Sequence, residues 1–286
     1  MKKVFVGLSS GVDSTMAVKI LIKKRYDVTG VFMRLSDTYF SKESEKKAEA
    51  IAKFFNIPFL IFDFRKEFKR QIIDQFVEDL KKGITPNPCV YCNKDIKFNL
   101  FFKEARKRGA QFIATGHYVK KRGGFLYKAK DKTKDQSYFL WSLSKEQIKN
   151  SLFPLGNFEK EEVKKIIKKE QIDTSKESQE ICFIEGDIYN FLKDKIKPKK
   201  GKIIDENKNV LGKHEGVWFY TIGQRKGLDL PQGPFFVYKK DIKRNILYVT
   251  KNKELLLKKE VKFKNANWFI ETDFPILASA KIRYRA

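Results

Sequence analysis

Up to Thr115 the chain alternates short apolar runs with longer amphipathic segments. Lys3–Leu8, Val28–Met33, Ile57–Phe62 and Phe112–Thr115 have strand length and near-continuous apolar character. Between them, Asp13–Lys24 carries Met16, Val18, Ile20 and Leu21 at helical spacing, and Ser41–Phe55 is a charged helix with a polar start. Further helices are predicted from about Lys66 to Lys81 and, after the loop Thr85-Pro86-Asn87-Pro88, from about Asn93 to Arg108. Such alternation predicts an α/β domain, a doubly wound parallel sheet with helices on both faces.

The pattern then changes. Val119–Lys128 reads as a hairpin around Gly123-Gly124, and Glu159–Gln171 and Asp187–Lys195 as helices. From Lys197 onward, short β-like runs are separated by turn residues: Gly201–Ile204, Val217–Thr221, Phe235–Lys239, Ile246–Thr250 and Val261–Phe263. The expected division is an α/β domain over residues 1–196, a small all-β domain over 197–256 and a partial C-terminal β module over 257–286, with Pro198 near the first boundary.

Composition adds a partner class. A hydrophobic fraction of 42% supports a real core, while 61 Lys and Arg against 35 Asp and Glu give a net charge of +26. A surface that positive attracts polyanions through steering and counterion release, which makes nucleic acid the first partner to consider. A general lysine bias is the competing explanation, since the basic residues are spread along the whole chain. The apolar runs are far too short to span a bilayer, and Val4–Leu8 stops at Ser9-Ser10-Gly11, too early for an export signal. Three cysteines, Cys89, Cys92 and Cys182, fit a reducing, cytoplasmic setting with no membrane partner.

Candidate chemistry begins at Val4-Phe5-Val6-Gly7-Leu8-Ser9-Ser10-Gly11-Val12-Asp13-Ser14, a strand, a small-residue loop and a helix start. Small residues admit a phosphate close to the backbone, and the free N–H groups of the helix start bind it. Asp13 opposes such an anion, and an intervening Mg²⁺ is the expected reconciliation. The loop is neither a Walker A motif, lacking Gly-Lys-Ser/Thr, nor a G-x-G-x-x-G dinucleotide fingerprint. Cys89 and Cys92 stand just before a predicted helix, a place that lowers a thiol pKa and makes Cys92 a candidate nucleophile. A zinc half-site or a dithiol pair remain alternatives, although the second paired half of a zinc site is missing. Cys182, between Ile181 and Phe183, reads in isolation as a small buried hydrophobe.

Together these segments resemble one family. Ser9–Ser14 is similar to the SGGVDS loop of the ATP pyrophosphatase (PP-loop) superfamily, with Ser10 where that pattern usually has Gly. Thr85–Asn93 and Ser178–Ile184 resemble the paired cysteine segments of tRNA-specific 2-thiouridylases. Ala114-Thr115-Gly116-His117-Tyr118, Lys134-Asp135-Gln136-Ser137-Tyr138-Phe139-Leu140 and Gly223-Gln224-Arg225-Lys226-Gly227-Leu228 match further segments of that family in the same order.

The resemblance implies ATP-dependent 2-thiouridine synthesis on the anticodon arm of tRNA, with ATP and Mg²⁺. ATP is expected against Gly7, Leu8, Ser9, Ser10, Gly11, Val12, Asp13, Ser14, Met33 and Gly116. By the same resemblance Cys182 carries a persulfide, supplied by a sulfur-relay protein or cysteine desulfurase, and Cys92 releases the sulfur, with a disulfide between them after turnover. Contacts to tRNA are implied for Asn87, Pro88, Cys89, Lys134, Asp135, Gln136, Arg283 and Tyr284. Cys89 occupies a position that is often Asp in the family, so a proton-transfer role there passes to water or another group. The family also normally continues beyond Lys281-Ile282-Arg283-Tyr284-Arg285 into the rest of a C-terminal β-barrel. Rival readings are a PP-loop enzyme that adenylates a small molecule, a 4-thiouridine synthase and a binding-only RNA chaperone.

Overall fold

The computed structural model describes residues 1–175, 181–184, 186–271 and 273–284. The chain forms two compact units: Met1–Ile72 with Pro88–Gln179 and Asn267–Ala286, and Ile73–Asn87 with Glu180–Ala266.

The first unit is built on five parallel strands. β1 (Lys3–Gly7), α1 (Val12–Lys23), β2 (Asp27–Arg34), α2 (Tyr39–Phe54) and β3 (Phe59–Asp63) follow the predicted order. Val4, Phe5 and Val6 are each at most 1% exposed, which only a strand covered on both faces explains. A helical run then comprises α3 (Arg65–Phe68), a π-helical stretch (Lys69–Asp74) and α4 (Gln75–Lys81), the last lying in the second unit.

The next helix starts earlier than the sequence suggested. α5 (Pro88–Tyr91), a π-helical stretch (Cys92–Leu100) and α6 (Phe101–Lys107) place both Cys89 and Cys92 inside the helical segment. Pro88 is the reason: proline suits the first turn, where its missing N–H has no helical partner. β4 (Phe112–Ala114) follows, then the predicted hairpin, β5 (Lys120–Arg122) and β6 (Phe125–Tyr127). Two short elements were not anticipated, α7 (Lys145–Lys149), held by a Ser144/Gln147 capping box, and β7 (Ser151–Leu152). α8 (Lys160–Lys169) packs Val163 and Ile167 with Met16 and Ile20 of α1.

Sheet order is β3-β2-β1-β4-β7, with Val4, Phe5 and Val6 of β1 beside Phe112, Ile113 and Ala114 of β4. Strand order therefore reverses between β1 and β4. In open α/β sheets the ligand crevice lies outside the carboxyl ends of the strands at that switch point.

The second unit contains α4, α9 (Ile188–Lys193), β8 (Gly201–Ile204), β9 (Val210–His214), β10 (Phe236–Asp241) and β11 (Ile246–Thr250). Its sheet runs β10-β11-β8-β9, with β11 and β8 parallel and the outer pairs antiparallel. Ile203, Val237, Leu247 and Val249 form its core. Two expected strands are corrected here. Val217–Phe219 is a 3₁₀ turn, which tucks three successive apolar residues inward where a strand exposes every second one. Val261 and Phe263 are exposed, and no strand occurs among the described residues beyond Leu256.

Candidate active site

The phosphate loop leaves β1 at the switch point and turns into α1 over Leu8–Gly11. Gly11 is the N-cap and supplies no side-chain cap, so among the described residues no side chain accepts from the first N–H groups of this 12-residue helix. Among the described residues, a Cβ on Gly11 meets only Ser9 Oγ, at 3.8 Å. Around it the hydroxyls are ordered: Ser9 N–H donates to Ser14 Oγ at 3.2 Å, and Ser14 Oγ donates to Gly11 O at 2.9 Å. These features fit an anion at the helix end.

Ser10, the departure from the glycine pattern, adopts φ +64°, a left-handed conformation that costs a non-glycine residue about 1 kcal/mol. Its compensation is visible. Ser10 Oγ lies 2.7 Å from Ser175 Oγ, and Ser175 N–H donates to Ser10 O at 2.9 Å.

Gly116, after β4, is required by packing. A Cβ there lies 2.8 Å from both Asp13 C and Ser14 N, so any larger residue displaces the first turn of α1. Met33 reaches Gly7, where a Cβ lies 3.1 Å from its methyl carbon. The expected ATP residues thus gather around one strand end. The Asp13 carboxylate already has counter-groups: Lys160 Nζ donates to Oδ1 at 2.8 Å and Oδ2 at 2.7 Å, and Tyr118 OH donates to Oδ1 at 2.8 Å. In this structure the Asp13 carboxylate is paired with a buried lysine.

Lys134, Asp135 and Gln136 are half-buried and all engaged in local structure, Lys134 N–H donating to Asp131 Oδ1 at 3.2 Å. Asp135 accepts from Ala129 N–H at 2.9 Å and Ser137 Oγ at 2.7 Å, and Gln136 Oε1 accepts from Tyr118 N–H at 2.9 Å. Tyr284 lies near Phe139, ring centres 4.6 Å apart, and near Tyr138 at 5.8 Å, bringing two of the expected tRNA segments of this unit together. Arg283 precedes it, while Arg285 lies outside the described residues.

The cysteine segments differ. Cys92 is 5% exposed at the start of the π-helical stretch, a geometry frequent at functional sites. Its neighbour Asn93 is buried and donates from Nδ2 to Phe139 O at 3.1 Å. Pro88 is buried, and Asn87 and Cys89 are half-buried. Within the second unit, Cys182 is exposed on a turn closed by Ile184 N–H to Ile181 O at 3.0 Å. Ile181 and Phe183 on either side pack against Phe76, Val77 and Leu80. The expectation of a small buried hydrophobe at Cys182 is overturned: its neighbours are anchored and the thiol faces solvent. Ser178, Gln179 and Glu180 lie outside the described residues.

Among the described residues no group of three or more His, Cys, Asp or Glu is arranged to hold a metal, and no helix is long and apolar enough to cross a membrane. Burial, with the charge of Lys97 in support, holds His117 well below its ordinary 6.5, and Thr115 Oγ1 lies 2.8 Å from its Nδ1.

Comparison with known proteins bears on all of this. A family model described as the tRNA methyl transferase HUP domain matches residues 2–186, and one described as the tRNA methyl transferase PRC-barrel domain matches residues 189–251. A tRNA-specific 2-thiouridylase of Aliarcobacter butzleri is 41% identical, over 100% of this chain and 85% of its own. One of Syntrophomonas wolfei is 39% identical, over 99% of this chain and 86% of its own. The chain belongs to the tRNA-specific 2-thiouridylase family. Among solved structures, a U34-tRNA thiolase of Methanococcus maripaludis is 16% identical with a TM-score of 0.46, over 68% of this chain and 67% of that one.

Some residues of this thiouridylase-family site escaped the sequence reading. Lys160 sits among many lysines, but it is in phase with Val163 and Ile167, and a lysine on an apolar stripe was the available signal. Asp95, three residues after Cys92, has its carboxyl raised above the ordinary carboxylate range by burial. Ser175 carried no signal at all.

Proposed function

We propose that this chain is an ATP-dependent tRNA 2-thiouridine synthase acting on the wobble uridine, position 34. The observation that carries the reading is the α1 N-terminus at the β1/β4 switch point, which no described side chain caps, in a chain of the thiouridylase family. The N–H groups of Gly11–Ser14 bind the pyrophosphate end of ATP, with Gly116 and Met33 closing the nucleotide side. Mg²⁺ bound with the polyphosphate would supply charge neutralisation there, beside the Lys160–Asp13 pair. The wobble uridine leaves its stack to expose its reacting edge. Its O2 attacks the α-phosphorus, N3 loses its proton, and pyrophosphate departs.

Sulfur follows from the cysteines. A donor protein loads Cys182 as a persulfide, for which its exposure is suited. The Cys92 thiolate attacks the inner sulfur of that persulfide, forming a Cys92–Cys182 disulfide and releasing hydrosulfide. Hydrosulfide attacks C2, AMP leaves, and a cellular thiol reductant restores the pair. Half-buried Cys89 stands where the family often has Asp, and the partly buried Asp95 carboxyl is the available proton acceptor on the same helical segment.

The test is single turnover with unmodified tRNA, ATP, Mg²⁺ and a persulfide source, scored for pyrophosphate, AMP and 2-thiouridine. Cys92→Ser and Cys182→Ser are expected to lower thiolation by about a hundredfold or more while pyrophosphate release persists. Thiolation surviving both substitutions overturns the two-cysteine route, and tRNA-independent turnover favours a small-molecule substrate. Because the matching family models carry a methyl transferase description, a parallel arm with S-adenosylmethionine is expected to give no methylated tRNA.

A further inference from the structure

The Lys160–Asp13 pair is costly where it stands. Lys160 is 3% exposed and opens α8, so its ammonium loses hydration and faces the positive end of a helix dipole. Asp13 has the opposite problem. At the first turn of α1 its charge suits the empty helix end but repels a polyphosphate approaching the same N–H groups. The two meet with Nζ at 2.8 and 2.7 Å from the carboxylate oxygens. Tyr118 supports the arrangement: its hydroxyl donates to Asp13 at 2.8 Å, its ring centre lies 5.9 Å from Lys160 Nζ, and its backbone is held by Gln136. Lys160 is itself fixed by its N–H to Asp131 Oδ2 at 3.0 Å and by the packing of Val163 and Ile167 on α1.

We propose that Lys160 is a positioning residue of the phosphate loop, cancelling the charge of Asp13 so that polyphosphate meets the α1 N-terminus without an opposing carboxylate. This rests on the ATP reading above. The pair also ties the start of α8 to the start of α1, which sets the loop before nucleotide arrives. Replacing Lys160 with a neutral side chain leaves Asp13 uncompensated beside the ligand. Replacing both removes the repulsion together with its remedy.

Direct binding by titration calorimetry separates these effects, using the full chain as wild type, Lys160→Met, Lys160→Arg and the double variant Asp13→Asn with Lys160→Met. ATP affinity of Lys160→Met is expected to fall about tenfold or more, and AMP affinity by clearly less, because repulsion scales with ligand charge. Lys160→Arg keeps the bidentate pair and stays within about threefold of wild type. The double variant regains ATP affinity to within about threefold, and this arm decides the matter even if Lys160→Met fails to fold. A double variant as weak as Lys160→Met, equal losses for ATP and AMP, or an indifferent Lys160→Met overturns the proposal. A wild-type chain that binds no ATP overturns the ATP reading first, and the proposal with it.

Discussion

Cys92 and Cys182 belong to the same reading of the chemistry, yet the chain builds their surroundings in opposite ways. Cys92 is buried on a long helical segment whose next residue, Asn93, is tied to the backbone of Phe139. Cys182 sits on a short turn, held by the side chains on either side of it and left exposed itself. A thiol loaded by another protein has to be reachable, whereas a thiol that releases hydrosulfide gains from exclusion of solvent and stray oxidants. On the proposed reading, exposure, more than local sequence, separates the two roles.

The strongest way to break that contrast is to measure it. In the native chain iodoacetamide is expected to label Cys182 about a hundredfold faster than Cys92, because a buried thiol reacts only through local opening. In urea the two rates converge. Equal native rates, read by peptide mass spectrometry, sink the assignment of separate roles by exposure.

A second pair of substitutions sharpens it. Phe183 lies 5.7 Å from Phe76 and 5.5 Å from Phe191 between ring centres, so Phe183→Ala is expected to cost the second unit about 2 kcal/mol. Labelling of Cys182 changes little, since that thiol is exposed already. Asn93→Ala removes one hydrogen bond, worth about 1 kcal/mol, but raises Cys92 labelling several-fold by loosening its helix. If Asn93→Ala leaves Cys92 as protected as before, the Phe139 tie is not what encloses it.

Much of this was legible in the chain. The parallel sheet followed from apolar runs alternating with amphipathic ones, and the phosphate loop from small residues between β1 and α1. What escaped was set by tertiary packing. Val217–Thr221 has strand composition, yet it turns so that Val217, Trp218 and Phe219 can all face apolar neighbours. Val210–His214 contains Gly212 and Lys213 and shows no alternation, but β8 offers it an edge to pair with. The left-handed Ser10 is sustained by Ser175, a partner 165 residues away that no local pattern announces. Cys182 taken alone shows the same limit: apolar neighbours predict burial of a segment, and only the packed turn shows which residue points out.

The smallest expected effect concerns pH and compares the units once more. The chain has two histidines, and each unit buries one, His117 in the first and His214 in the second. Burial lowers both below the ordinary 6.5, so each folded unit favours the neutral ring. Below 6.5 the unfolded chain then binds more protons than the folded one, and stability falls as pH drops through that value toward the depressed folded pKa. For His117 the loss is about 1 kcal/mol over the first pH unit below 6.5. At His214 opposing contributions from Asn245, Glu215 and Lys202 hold back the downward push of burial. Urea midpoints followed by a probe in each unit should therefore decline more steeply with acid in the first unit. His117→Gln, which keeps a polar group near Thr115, should flatten that decline and leave the second unit's untouched. An unchanged slope in His117→Gln would mean that acid sensitivity comes from the carboxylates, whose window lies lower, near the 3.8 of an ordinary Asp.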